Sequence, residues 1–160
     1  MNRMLIRGGG FGGVYAALRL QALAGRRNDI QITLVSRDNY FLFTPMLPQA
    51  ATSSVDTRHI VQNIRRICPR IKLLEAEIET IDLATRSVSF SHPEGHRHQV
   101  GFDQLLIAVG GATNYFGLPG VAEFSIPVKT LTDAIRIRNH ALDMLEQAEL
   151  EEDADQRRQL

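Results

Sequence analysis

The hydrophobic positions in the first third of the chain form two short apolar runs separated by a longer segment rich in small and apolar residues. The run Met4-Leu5-Ile6 predicts a strand over residues 3–8, and the segment 11–24 predicts a helix. The β-branched run over 30–35 predicts a second strand. This order of strand, helix and strand is that of a βαβ unit, whose two strands lie parallel in one sheet.

The rest of the chain predicts a mixed architecture. Apolar residues at helical spacing predict a helix over 57–67, and short runs over 71–102 predict strands and hairpins. The continuous apolar run 104–109 is typical of a buried parallel strand. A capping box at Thr130 predicts the last helix, and the charged residues 149–160 indicate a linker or a frayed helix end. The predicted fold is α/β, a Rossmann-like doubly wound parallel sheet with an added antiparallel β-hairpin layer.

A glycine-rich turn separates the first predicted strand from the first helix. Its spacing, Gly8-x-Gly10-x-x-Gly13, is the dinucleotide fingerprint. Gly8 permits the tight turn, Gly10 lets the backbone approach a pyrophosphate, and Gly13 lets the helix pack on the sheet. N–H groups at the helix start then face the phosphates, and the helix dipole favours the negative charge. Because a strand precedes the turn and a helix follows it, we predict a dinucleotide site here.

Arg7, directly before this turn, departs from the apolar pattern. A parallel strand is usually apolar on both faces, and a buried unpaired charge is costly. Either the guanidinium lies at the end of the strand and reaches the phosphates, or it weakens cofactor binding. The residues leave both interpretations open.

The end of the second strand lacks the Asp or Glu that usually binds the ribose hydroxyls in this fold. Ser36 occupies that position and Arg37 follows it. A serine hydroxyl still hydrogen-bonds a ribose, whereas Arg37 is suited to stack on adenine or to meet a 2′-phosphate. NADP is therefore an alternative ligand by this feature, and a solvated loop cation is a further interpretation of Arg37.

The composition narrows the function classes. The 160 residues include 18 Lys or Arg and 18 Asp or Glu, so the net charge is zero and no basic cluster indicates nucleic acid. The single cysteine, Cys68, is typical of a reducing compartment and leaves no pair for disulfide chemistry. No apolar run approaches the roughly 18 residues of a membrane span, and nothing resembles a secretory signal, so we expect a cytoplasmic location. Residues 91–98 contain three histidines, but their Pro-Glu-Gly core predicts a turn, so we expect a solvated hairpin rather than a metal site.

Several segments carry a resemblance to a known family. Residues 8–18, with Gly-Gly-Gly-Phe-Gly-Gly, and residues 36–47, with Ser-Arg-Asp-Asn-Tyr-Phe-Leu-Phe-Thr-Pro-Met-Leu, look like the N-terminal part of type II NADH dehydrogenases. Residues 58–61, 105–110 and 113–121 extend the resemblance over nearly the whole chain. These enzymes are FAD-containing members of the pyridine nucleotide-disulfide oxidoreductase superfamily. The Asn-Tyr-Phe segments are the more specific motifs.

The resemblance implies an FAD-binding domain over residues 1–148. A complete member would continue into an NADH-binding domain and a C-terminal part that contacts the membrane, so this chain corresponds to an incomplete, N-terminal portion. The implied activity passes electrons from NAD(P)H through FAD to a quinone, on the cytoplasmic face of the membrane. It requires no catalytic side chain and no metal ligand from these residues, because the flavin carries the chemistry.

The fingerprint and the resemblance together indicate a set of cofactor-binding residues. Residues 44–46 would border the flavin opposite the strand end at 108–110, and the backbone of Ile78 would contact the adenine. The full set is Gly8, Gly10, Phe11, Gly12, Gly13, Ser36, Arg37, Asn39, Thr44, Pro45, Met46, Ile78, Ala108 and Gly110. Two alternatives stay open: a single-domain NADP-binding protein, and a truncated fragment without catalysis.

Overall fold

A computed structural model describes residues 1–25, 27, 29–91 and 97–157. The chain forms two compact units, one of residues 1–41 and 62–112 and the other of residues 42–61 and 113–160. In chain order the strands are β1 (Asn2–Arg7), β2 (Ile30–Ser36), β3 (Tyr40–Leu42), β4 (Val61–Asn63), β5 (Lys72–Glu75), β6 (Glu77–Asp82), β7 (Ser87–Ser91), β8 (Arg97–Gly101) and β9 (Gln104–Ile107). The α-helices are α1 (Phe11–Ala24), α2 (Leu47–Ala51), α3 (Ile64–Ile67), α4 (Val121–Phe124), α5 (Leu131–Leu150) and α6 (Ala154–Arg157), and short 3-10 helices cover Thr44–Met46 and Thr57–His59.

The centre of the first unit is a parallel sheet with strand order β5-β2-β1-β9. Arg7 at the end of β1 is in register with Val35 of β2 and Ile107 of β9. Ser36 at the end of β2 is in register with Glu75 of β5. The carboxyl ends of these strands therefore meet at one edge of the sheet, where ligands bind in open α/β folds.

Each face of this sheet is covered by a different layer. Helices α1 and α3 pack on one face, because their buried residues form a single cluster with those of the strands: Ile6, Val14, Ala17, Ile32, Leu34, Ile64, Cys68 and Leu73. The antiparallel sheet β6-β7-β8 covers the other face through Leu5, Val35, Ile78, Val88 and Phe102. The alternation of Leu5 and Ile6 between two cores is the period of two expected of a strand. The predicted α/β fold class is confirmed.

The second unit has a small core of its own. Its buried residues are Leu47 and Ala50 of α2, Ile60, and Ala134 of α5. Helix α5 begins with the predicted capping box: Thr130 accepts from the Asp133 backbone N–H, and the Asp133 carboxylate accepts from that of Thr130. These reciprocal bonds satisfy N–H groups that the first helical turn leaves without acceptors.

The helix predicted over 57–67 is wrong. This segment contains a 3-10 turn capped by Asp56, the strand β4, and the short helix α3 capped by Asn63. The apolar spacing gave the wrong prediction because Ile60 and Ile64 are buried in different cores. Ile60 lies in the core of the second unit, and Ile64 lies in the core beside the parallel sheet. A shared periodicity therefore did not mean a shared helix face.

Two further segments qualify the sequence interpretation. Residues 39–49, read as a stiff loop, contain strand β3, a 3-10 turn and the start of α2. The predicted hairpin of residues 91–98 joins β7 to β8, but residues 92–96 lie outside the described part of the chain. His92 and His96, two of the three histidines considered as metal ligands, are among these residues outside the described part. Within the described residues no group of three or more His, Cys, Asp or Glu is arranged to hold a metal.

Candidate dinucleotide-binding site

Backbone hydrogen bonds anchor the glycine turn to both neighbouring strands. The Gly8 N–H donates to the Val35 carbonyl at 2.8 Å, and the Arg7 carbonyl accepts from the Ala108 N–H at 2.8 Å. Gly8 has φ of +112°, a conformation that L side chains rarely adopt. The turn is thus held at the carboxyl edge of the sheet in a geometry that requires glycine.

Close backbone packing explains two of the fingerprint glycines. A Cβ on Gly8 would collide with the Ala108 carbonyl, with 2.9 Å to its carbon. A Cβ on Gly13 would collide with the Gly8 carbonyl in the same way, again with 2.9 Å to the carbon. Neither neighbour can move aside cheaply because both are backbone. Gly8 and Gly13 therefore fit the turn and packing roles expected from the spacing.

Gly10 has a different environment. It is the N-cap of α1, and a Cβ there would meet nothing within 4 Å. At Gly12, a Cβ would lie 3.4 Å from the Ala108 Cβ, an ordinary contact. Packing among the described residues therefore does not require glycine at position 10.

Gly9 is a glycine of the same turn whose close packing the fingerprint spacing did not predict. A Cβ on Gly9 would collide with the Ser36 hydroxyl and lie 2.9 Å from the Ser36 Cβ and 3.0 Å from the Ile64 Cδ1. Ser36 is only 9 % exposed. The turn therefore lies directly over the end of β2, which brings the first two sequence motifs together.

The end of β2 continues into polar residues. Arg37 is exposed and Asn39 is half-buried, and the Asn39 Nδ2 donates to the Glu75 Oε2 at 3.0 Å. Because Glu75 is in register with Ser36, its carboxylate stands at the strand end beside the position where the usual acid is missing. Glu75 was missed in the sequence because strand register, not spacing, places it here.

Aromatic contacts connect the glycine turn with the Asn-Tyr-Phe segment. Phe11, the first residue of α1, packs edge-on against Phe41 with 4.9 Å between ring centroids. Tyr15, one turn later, stacks on Phe11 at 6.1 Å. The Asn39 carbonyl also accepts from the Ile64 N–H at 3.0 Å, which fixes the segment onto α3.

The remaining predicted residues of the first unit lie in β6 and directly after β9. Ile78 is 6 % exposed in β6, and its carbonyl accepts a long hydrogen bond of 3.5 Å from the Arg7 Nη2. Ala108 follows β9 and is half-buried, and Gly110 is exposed with φ of +71°. In the first unit, ten of the predicted residues and Arg37 thus lie at the ends of β2 and β9, in the glycine turn, at the start of α1 and in β6.

Thr44, Pro45 and Met46 belong to the second unit. They form a 3-10 helix, in which Met46 packs against the core of that unit while Thr44 and Pro45 are exposed. Their place beside a flavin stays a prediction.

Cys68 takes no part in this site. It is fully buried at the end of α3, and burial raises the pKa of its thiol. A thiol that is both buried and held protonated is a poor nucleophile. Among the described residues, no helix is long and apolar enough to cross a membrane.

The parallel sheet with a glycine turn at its carboxyl edge defines a class of fold, the α/β fold of the Rossmann type. The family model for pyridine nucleotide-disulphide oxidoreductases matches residues 2–151, and the chain belongs to this family. The resemblance to type II NADH dehydrogenases is confirmed by its relatives. The chain is 35 % identical to the type II NADH:quinone oxidoreductase Ndh of Mycobacterium tuberculosis, over 99 % of this chain and 34 % of that protein.

A second relative and a solved structure are similar to the chain over the same N-terminal portion. The chain is 32 % identical to an external alternative NADH-ubiquinone oxidoreductase of Yarrowia lipolytica mitochondria, over 98 % of this chain and 28 % of that protein. A structure of NDH2 from Plasmodium falciparum in complex with NADH superposes with a TM-score of 0.82 at 28 % identity, over 98 % of this chain and 32 % of the other. The chain therefore spans about a third of the length of the relatives it matches.

Proposed function

We propose that this chain is the FAD-binding portion of an oxidoreductase that passes electrons from NAD(P)H through flavin to a quinone. The environment of Gly10 is the observation that supports the assignment of FAD most directly. Gly10 is the N-cap of α1, and a Cβ there would meet no atom of the described residues within 4 Å. A glycine that packing does not require, at a helix start, fits the close approach of a pyrophosphate.

The residues around Gly10 supply what a dinucleotide needs. Gly12 and Gly13 lie in the first turn of α1, where backbone N–H groups have no intrahelical acceptor and the helix dipole favours negative charge. The Ser36 hydroxyl and the Glu75 carboxylate stand at adjacent strand ends, where ribose hydroxyls would donate to them. These residues would bind and orient FAD, which would supply the hydride and electron transfer.

The small residues at the end of β9 suit the same cofactor. Ala108 lies beside the glycine turn, with its Cβ 3.4 Å from where a Gly12 Cβ would be, and Gly110, two residues further along, carries no side chain. We assign them to the approach of the dinucleotide beyond the pyrophosphate. Phe11 and Asn39 hold the aromatic segment and Glu75 in place through the contacts at 4.9 Å and 3.0 Å.

A single-domain NADP-binding function is the second candidate. The exposed Arg37 at the end of β2 favours it, since a guanidinium binds a 2′-phosphate well. Glu75 opposes it, because a carboxylate in register with Ser36 would repel that phosphate. The balance of charge at this edge therefore favours a ribose with free hydroxyls.

NADH as electron donor and quinone as electron acceptor are proposed for a protein of the length of these relatives, of which this chain corresponds to one portion. They are supported by relatives named NADH:quinone oxidoreductases, of which the chain covers about a third. In that context we infer peripheral contact with the cytoplasmic face of the membrane, where a quinone is reached.

The test uses the purified 160-residue chain, titrated with FAD and with NADPH, with binding followed by flavin or nicotinamide fluorescence. FAD binding is expected, and it should weaken about tenfold or more in Gly10→Ala. The apo variant should lose less than about 1 kcal/mol of unfolding free energy, since its Cβ meets only open space. Tight NADPH binding without FAD uptake would select the second candidate. A folded wild-type chain that binds neither would overturn the proposal.

A further inference from the structure

Helix α5 carries an apolar stripe, but over the described residues the core of the second unit includes only its first turn. Ala134 is fully buried in that core, and Leu131 packs against it. Leu142 and Leu145, two to three turns further along, are 52 % and 67 % exposed. All four residues lie on one side of the helix, because 3.6 residues complete a turn. The apolar stripe therefore continues beyond the part that the core covers.

A charged residue stands at each end of this exposed leucine pair, and the two charges have opposite signs. Arg138 precedes Leu142 by four residues and Glu149 follows Leu145 by four, so both lie on the same stripe. Within the described part of the chain, the Arg138 guanidinium donates only to the Asn139 Oδ1, at 3.2 and 3.3 Å, and Glu149 has no ion-pair partner. The order along the stripe is therefore cation, leucine, leucine, anion, with equal spacing about its midpoint.

This order is complementary to its own reverse. In a two-fold symmetric, antiparallel arrangement of two copies, centred between positions 143 and 144, Leu142 of each copy meets Leu145 of the other. Arg138 of each copy then meets Glu149 of the other, so two ion pairs flank the leucine contacts. A parallel arrangement would instead place like charges side by side, which is unfavourable.

The length of α5 fits this antiparallel arrangement. The helix ends at Leu150, which in this register lies opposite position 137 of the other copy. The overlap covers residues 137–150, about 21 Å at 1.5 Å per residue. It stops before Ala134, where α2 already packs on α5, so no buried residue has to be displaced.

We infer that the exposed stripe of α5 is a homodimer interface, where the α5 helices of two copies of this chain pack antiparallel through Leu142 and Leu145, in a register set by Arg138 and Glu149. Charge complementarity identifies a second copy as the occupant, because the stripe matches its own reverse at all four positions. The inference is independent of the proposed function, since none of these residues belongs to the dinucleotide site. The interface is small, so we expect a weak dimer with a Kd of about 10–100 µM.

Analytical ultracentrifugation of the 160-residue chain at increasing concentration measures the association. The mass should rise from that of a monomer to that of a dimer. Leu145→Glu should weaken the dimer about tenfold or more, because it puts a charge into the apolar contact. Leu150→Glu is the matched control: Leu150 is 82 % exposed but lies on another side of α5, so this variant should dimerise like the wild type. Circular dichroism and thermal melts check that both variants are folded.

The flanking charges test the antiparallel register. Arg138→Glu and Glu149→Arg each place like charges opposite one another in both symmetry-related contacts, so each variant alone should be monomeric where the wild type is a dimer. An equal mixture of the two variants should form a heterodimer with a Kd within about threefold of the wild-type value, because every contact then joins opposite charges. Arg136→Glu, a charge reversal at an exposed position off the stripe, should still dimerise.

Three results would overturn the inference. A wild-type chain that stays monomeric up to about 500 µM would show that a second copy does not occupy this stripe. A dimer that is unaffected by Leu145→Glu would place the interface elsewhere on the molecule. Folded Arg138→Glu and Glu149→Arg variants that dimerise alone, or that stay monomeric when mixed, would contradict the antiparallel register.

Discussion

A Cβ atom on Gly13 would lie 2.9 Å from the carbonyl carbon of Gly8, and closer still to its oxygen. The first turn of α1 and the end of β1 thus touch backbone to backbone. This contact sets the distance between helix and sheet at the point where the glycine turn reverses the chain. A side chain at position 13 would have to push the helix start away from the strand.

Gly13→Ala should therefore damage both stability and binding. The collision is with backbone, so we expect a loss of more than about 2 kcal/mol in unfolding free energy and no measurable FAD binding. Gly10→Ala is the matched control, because its Cβ meets open space and only binding should suffer. Urea unfolding curves and FAD titrations on both variants check this. Equal stability of the two variants would contradict the packing argument.

Glu75 should contribute to the binding of adenosine-containing ligands. Its carboxylate is held by the Asn39 amide at 3.0 Å and stands beside Ser36. Glu75→Gln removes the charged acceptor for a ribose hydroxyl at nearly constant size, so affinity for FAD and ADP should fall about 5- to 20-fold. Glu123→Gln, an exposed acid of α4, is the charge-matched control. Tighter binding of NADPH by Glu75→Gln is also expected, since the charge that repels a 2′-phosphate is gone.

Cys68 should act only through packing. Because it is fully buried, Cys68→Ser should lower the unfolding free energy by about 1–3 kcal/mol, and thiol reagents should modify the wild type only in denaturant. Burial raises the pKa of the folded thiol. Its contribution is therefore present below the unfolded pKa, about 8.5, and is lost as the pH rises through the folded pKa. Stability measured from pH 7 to 10 should show this decline, which Cys68→Ala should remove. Rapid labelling of the native protein would contradict this role.

The Arg3–Asp103 pair should give a pH dependence of the opposite sign. Hydrogen bonds from Arg3 lower the pKa of Asp103, so its contribution is present above the unfolded pKa of about 3.9 and is lost as the pH falls through the folded pKa. The pair is exposed, so Asp103→Asn should lower the Tm by a few degrees at most. The difference from wild type should be constant between pH 5 and 7, as thermal melts would show, and should shrink in acid. A difference that grows in acid would disprove this assignment.

The parts of the fold that were predicted correctly depend on local chemistry. Helix α1 begins and ends at the predicted residues, 11 and 24, because a fingerprint turn precedes it and a glycine follows it. Helix α5 begins at its capping box for the same kind of reason. The segment 57–67 failed because its apolar residues serve two cores, and no local pattern records which core a side chain enters.

The sequence by itself determined the α/β class, the dinucleotide turn and the family resemblance, because these depend on glycine spacing, β-branched runs and motifs that lie within a few residues of one another. Only the tertiary structure decided that Gly9 lies on Ser36, that Glu75 stands beside the missing acid, and that Arg7 donates to the Ile78 carbonyl. These pairs are separated by 27 to 71 positions in the chain. Strand register and the crossing of β6 over the parallel sheet bring them together, and neither follows from local residue patterns.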